Sequence, residues 1–185
     1  MSQIGFGSNN GVGRKLITLN IKDLPPLFEL KEKVDDSWQT TDKTNEIAGY
    51  LQNVQVLTKT SDKYGDKKQV VLDMDLGDFL ARVRVNLNSV GKEILNRMSN
   101  SDDLKGSVLK MRVYVDKKNY PSIVCYKDDE IMQWGLTTDQ VKLNFAQEGF
   151  WVSLYETKIR PQFDSTVVTE EATSDLDDFM KNVKL

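Results

Sequence analysis

Five strand-like runs, three of them with clear apolar–polar alternation and interrupted once by a helical spacing, fall between residues 47 and 126. Their order leaves the chain few architectures. IAGYLQNVQVLT (47–58) leads through KTSDKYGDKK (59–68) into QVVLDMDL (69–76). A turn at Gly77-Asp78 precedes FLARVRVNL (79–87), and then come SVGKEILNRMS (89–99), GSVLKMRVYV (106–115) and YPSIVCY (120–126). Alternation sends successive side chains to opposite faces of a strand. One face therefore collects Val70, Leu72, Met74 and Leu76, then Phe79, Ala81, Val83 and Val85, then Leu109, Met111, Val113 and Val115. The other collects Gln69, Val71, Asp73 and Asp75, then Leu80, Arg82 and Arg84, then Lys110, Arg112, Tyr114 and Asp116. Val90, Ile94, Leu95 and Met98 make one stripe of a helix, with Ser89 as its expected N-cap.

Three strands, a helix and two strands is the order of an OB-fold, a five-stranded Greek-key barrel that binds oligonucleotides in many proteins. The expected class is mainly β: an OB-fold-like barrel with one short helix plugging its bottom, extra N-terminal and C-terminal β elements, and a flexible acidic tail. Residues 1–13, rich in Gly, Ser and Asn, read as a flexible arm. Residues 14–160 read as the domain, with its core at 47–126. Residues 161–185 read as the tail. Before the core, RKLITLNIKD (14–23) reads as a strand and LFELKEKV (27–34) as its return after Pro25-Pro26. VDDSWQTTDKTNE (34–46) reads as a surface connection anchored by Trp38. After the core, EIMQWGL (130–136) is expected to pair back on 120–126 through KDDE. TDQVKLNFAQEG (138–149) fits either a helix capped by Thr138 or a strand, and FWVSLYETKI (150–159) reads as a strand from its aromatic and β-branched content.

The chain has no histidine, so the commonest general base and the commonest zinc ligand are both missing. Its single cysteine, Cys125, sits in an apolar run and forms no internal disulfide, which fits a reducing cytoplasm. No run approaches the ~20 apolar residues of a membrane span, and the first thirty residues lack the continuous apolar region of a signal peptide. GFGSNNGVG (5–13) follows no strand and lacks the Gly-Lys-Ser/Thr of a phosphate loop. The carboxylates Asp73, Asp75, Asp102, Asp103, Asp128, Asp129 and Glu130 have no catalytic framework around them. No enzyme, cofactor, metal or membrane association is therefore expected. Net charge is −3, but residues 164–185 alone carry six acids against two lysines, which leaves residues 1–163 at +1.

Three basic clusters carry aromatics. Lys59, Lys63, Tyr64, Lys67 and Lys68 surround the first hairpin tip, as a finger for phosphates and a base or as an ordinary solvated loop. Arg82, Arg84, Lys110, Arg112 and Tyr114 form an outward row, which either tracks a nucleic-acid strand or pairs with Asp73 and Asp75 across the hairpin. Lys117, Lys118 and Tyr120 mark the loop between the last two strands of the core, a second groove-flanking tip or a plain turn. Trp134 and Trp151 read as core residues. In the tail, Ser174 and Asp177 have capping-box spacing, and Leu176, Phe179, Met180 and Val183 form an apolar stripe. That helix is too short to be stable alone, so it docks either on a partner's groove or on its own barrel.

This organisation resembles the single-stranded DNA-binding proteins of phages and bacteria: a loose N-terminus, an OB-fold with basic loops, and an acidic tail with a hydrophobic element. The resemblance covers 47–126 and 164–185. It implies coating of single-stranded DNA in replication, recombination or repair, and recruitment of partner proteins by Leu176, Asp177, Asp178, Phe179, Met180 and Val183. It further implies competition of the tail with DNA for the basic groove, a cytoplasmic location (the host's, if phage-encoded) and compatibility with a homo-oligomer. Asp177-Asp178-Phe179 is similar to the acidic-plus-phenylalanine tip of the bacterial members, which end at that aromatic, whereas this sequence continues MKNVKL. The large segments before 47 and at 130–160 fit a phage-type member. An alternative of another class is an assembly adaptor, whose β-domain is structural and whose tail helix joins subunits.

Overall fold

A computed structural model describes residues 15–35, 37–60 and 65–164. The chain is mainly β. Its strands are β1 (Lys15–Asn20), β2 (Leu27–Val34), β3 (Ser37–Thr44), β4 (Glu46–Lys59), β5 (Lys67–Asp75), β6 (Leu80–Asn86), β7 (Val108–Val115), β8 (Pro121–Lys127) and β9 (Glu130–Ile131). They form one nine-stranded mixed sheet in the order β3-β2-β1-β6-β5-β4-β7-β8-β9. The sheet is open. Among the described residues, β6 takes β1 in parallel as its second neighbour, and β8 continues antiparallel to β9. Among the described residues the only parallel ladder is therefore made by a strand outside the 47–126 core.

Alternation built the central strands as expected. Val70, Leu72, Met74, Ala81, Val83, Val85, Leu109, Met111 and Val113 are all buried on one face. Helix α1 (Ser89–Met98) caps that face, burying Val90, Ile94, Leu95 and Met98. Its N-cap is Asn88, not Ser89: the Asn88 Oδ1 accepts from the backbone N–H of Val90 (3.1 Å) and Gly91 (3.2 Å). An amide oxygen one residue earlier satisfies two of the donors that a helix start leaves open.

Two segments depart from their expected form. Residues 37–44 are a strand, β3, the fully exposed edge of the sheet apart from the half-buried Thr44. Trp38 on it is 53% exposed, so it anchors nothing. The C-terminal region is helical: α2 (Thr138–Asn144), α3 (Glu148–Leu154), a π turn (Tyr155–Ile159) and a 3-10 turn (Arg160–Gln162). Residues 150–159 are thus no strand, and among the described residues the only strand beyond β8 is the two-residue β9. The aromatic residues there suggested β structure, but Trp151, Tyr155 and Ile159 recur every fourth residue and form one buried helical stripe. Tyr155 Oη donates to the Val54 carbonyl (3.1 Å), which ties this segment to β4. Thr137, not Thr138, caps α2, in a capping box with Gln140. The helical residues Val90, Ile94, Leu95, Met98, Trp151, Tyr155 and Ile159 share one core with the inner face of the sheet.

Candidate nucleic-acid interface

Cross-strand register fixes which side chains share the outer face, because directly opposed residues of a ladder point the same way. Asp73 opposes Arg82 and Val71 opposes Arg84 on β5 and β6. Asn53, Gln55, Leu57 and Lys59 on β4 oppose Asp73, Val71, Gln69 and Lys67. At the other end of β4, Glu46 and Ala48 oppose Arg112 and Lys110, which in turn oppose Val124 and Tyr126; Tyr114 opposes Ser122. Lys59, Lys67, Arg82, Arg84, Lys110, Arg112 and Tyr114 therefore share one face. Within β4–β8 that face holds six cations against three carboxylates, Glu46, Asp73 and Asp75.

The remaining expected residues lie elsewhere. Lys68 points to the opposite side, where its Nζ donates to Thr58 Oγ1 (2.9 Å). Lys117, Lys118 and Tyr120 occupy the β7–β8 turn, in which Asp116 Oδ1 accepts from the Lys118 and Tyr120 backbone N–H (2.8 Å each) and Asn119 takes φ +62°. Tyr120 is 65% exposed. By register this turn lies at the start of β4 and the Lys59–Lys67 pair at its end, so the two groups flank the face from opposite sides. Lys63 and Tyr64 lie outside the described residues, as do Leu176, Asp177, Asp178, Phe179, Met180 and Val183.

The ion-pair alternative for the outward row holds for three of its four cations, although only Arg82 pairs as expected, with Asp73 across the hairpin. Arg82 forms a bidentate pair with Asp73, which raises the guanidinium's pKa further through that hydrogen bond. Arg112 pairs with Glu46 (2.6 Å), and Lys110 with Asp129 (2.7 Å) while lying 4.9 Å from the Tyr126 ring centroid. Arg84 differs: its buried Nε has no hydrogen-bond partner among the described residues. At the centre of the face Val71 and Asp73 are buried although both point outward. Tyr50, Leu57 and Tyr114 on the same face are exposed. The face thus has a buried apolar and ionic centre with exposed aromatics around it.

Sequence reasoning missed several residues on this side. Tyr50 and Tyr126 belong to it by register. So do Lys31, Lys33, Lys43, Glu29 and Trp38 on β2 and β3. The spacing of Glu29, Lys31 and Lys33 in LFELKEKV was the available signal, but it needed the β1–β6 pairing to place it on the same sheet. Trp134, expected in the core, is 47% exposed with Arg97 above its ring (5.8 Å), whereas Trp151 is buried. No helix among the described residues is long and apolar enough to cross a membrane. Comparison of the chain with protein-family models, with characterised proteins and with solved structures returned no match.

Proposed function

We propose that this protein binds single-stranded DNA without sequence preference through the outer face of β4–β8, and coats it during replication or recombination. One observation carries the reading. In a chain of net charge −3, one sheet face gathers twice as many cations as carboxylates and sets exposed tyrosines beside them. Cations neutralise a phosphate backbone whatever its sequence, and aromatic rings stack on any base. The strand order β6-β5-β4-β7-β8, with a helix after β6, supports an OB-fold-like module, because it is the order in which the third, second, first, fourth and fifth strands of that fold pair. The ion pairs at Arg112 and Lys110 are partly exposed and worth little in water, so exchanging a carboxylate for a phosphate there is cheap.

The acidic tail completes the reading from the sequence. Its carboxylates compete with DNA for the cationic face at the high local concentration that a tether provides, and its apolar stripe recruits replication or recombination proteins. The deciding experiment is titration of oligo-dT over a salt series. A steep fall in affinity with salt supports the reading, and removal of residues 169–185 should tighten binding most at low salt. No binding at low salt, with discrete oligomers in solution, would leave the assembly-adaptor reading in its place.

A further inference from the structure

The sheet does not stop at β6. In register, Thr40, Lys31, Leu16, Arg82, Asp73 and Asn53 lie side by side across β3, β2, β1, β6, β5 and β4. The next row out pairs Trp38 with Lys33 on β3 and β2, and joins Leu80, Asp75 and Tyr50 on the other strands. A parallel row holds Lys43, Glu29, Thr18 and Arg84. On β1–β3 this face therefore adds three lysines against a single carboxylate, and an indole that is 53% exposed.

That carboxylate is fully engaged. Glu29 is buried, accepts from Asn20 Nδ2 (3.0 Å), and sits 3.1 Å from Lys31 Nζ and 3.3 Å from Lys43 Nζ. One charge thus holds two lysines upright at the surface, and the patch keeps a positive excess. From β4 to β3 is five strand steps, about 24 Å at ~4.8 Å a step. Arg84 and Arg112 lie three strand steps apart, so a short oligonucleotide can be held between them without β2 and β3, which a longer one can also engage.

We infer that β2 and β3 form a second segment of the same binding track, in which Trp38 stacks on a base and Lys31, Lys33 and Lys43 meet the adjoining phosphates of one continuous single strand. The inference rests on the proposed function, and it assigns these residues a ligand class: unpaired nucleic acid longer than the central face can hold. Charge complementarity and the continuity of the sheet from the central face to β3 select this occupant. The mixed charges Asp42 and Lys43 and the β2–β3 register shift between Leu30 and Lys31 disfavour edge-to-edge pairing with a second copy.

The test compares oligo-dT of about 6 and about 20 nucleotides, one length within and one beyond the ~4–16 nucleotides one OB-fold covers. The full chain, Trp38→Ala, Trp38→Phe and Lys33→Gln are titrated with each. Trp38→Ala should weaken the long oligonucleotide by roughly 5- to 100-fold, the loss of one stacked base, and leave the short one unchanged. Trp38→Phe should keep most of the affinity, and Lys33→Gln should lower the salt slope for the long probe alone by about 0.7. Trp38 is exposed, so melting temperature should not move. If both probes still bind and Trp38→Ala changes neither, or changes both equally, the extension is wrong and the central face stands. If the unaltered chain binds neither probe at low salt, both readings fall.

Discussion

Arg82 and Asp73 face each other across β5 and β6, joined by Nε–Oδ1 (2.8 Å) and Nη2–Oδ2 (3.0 Å) hydrogen bonds. Asp73 is only 8% exposed, so removing Arg82 takes a bidentate partner away from a buried carboxylate. Arg82→Ala should therefore destabilise the fold by about 1–3 kcal/mol, measured by denaturant titration. Arg84, one pleat along and without such a partner for its Nε, should behave oppositely. Arg84→Ala should cost at most about 1 kcal/mol of stability and should lower the salt slope of oligo-dT binding by roughly 0.7. Equal effects of the two substitutions on stability and on slope would refute this division of labour.

The aromatics divide the same way. Tyr114 and Tyr120 are exposed beside basic residues, and neither side chain is used to build the core. At least one of Tyr114→Ala and Tyr120→Ala should weaken oligo-dT binding by about 1–3 kcal/mol while the melting temperature stays constant. If both variants bind like the unaltered chain, the binding face does not extend to the β7–β8 end of β4.

The C-terminal helices belong to the same core as the sheet, and their removal should be felt there. Trp151 is 1% exposed, and its indole N–H donates to the Asn144 carbonyl (3.0 Å). Trp151→Ala should cost about 3–5 kcal/mol, the usual loss for a buried large aromatic. Tyr155→Phe, which deletes only the hydrogen bond to β4, should cost about 1 kcal/mol. A single cooperative transition in both variants would show that helices and sheet unfold as one unit.

What was legible in the sequence followed from period. Strict alternation in 69–76, 79–85 and 108–113 placed the core face of β5, β6 and β7, and the Val90, Ile94, Leu95 and Met98 spacing placed α1. Long-range pairing was not legible, because nothing in LITLN says that it will lie parallel to β6. Edge strand β3 was missed because an exposed strand needs no apolar alternation, and all its residues but the half-buried Thr44 are exposed. Residues 150–159 were misread because aromatic content was weighed above the four-residue recurrence of Trp151, Tyr155 and Ile159. The ionic half of the candidate site was half legible: register gave Arg82 its partner Asp73, but left Arg84 opposite Val71 instead of an acid.

Glu29 supplies a test by pH. The Asn20 amide, and then Lys31 and Lys43, favour its charged form and hold its carboxyl at about 2, below the ordinary 4.5, against the opposing effect of burial. Between those two values the unfolded chain binds a proton that the folded chain does not, so stability falls with falling pH there. The contribution is fully present above about pH 4.5 and is lost progressively down to about pH 2. Conversion at ~1.4 kcal/mol per pKa unit overstates it, since Lys43 is half exposed; about 1–2 kcal/mol is the expected size. Glu29→Gln keeps the shape and the acceptor for Asn20 but removes the charge. It should lower stability at neutral pH by that amount and flatten the acid limb of the stability–pH curve between pH 4.5 and 2. The same variant releases Lys31 and Lys43 from their counterion, so long oligo-dT should bind it more tightly at low salt. An unchanged acid limb would mean that Glu29 titrates normally and that the clamp on β2 and β3 is not formed.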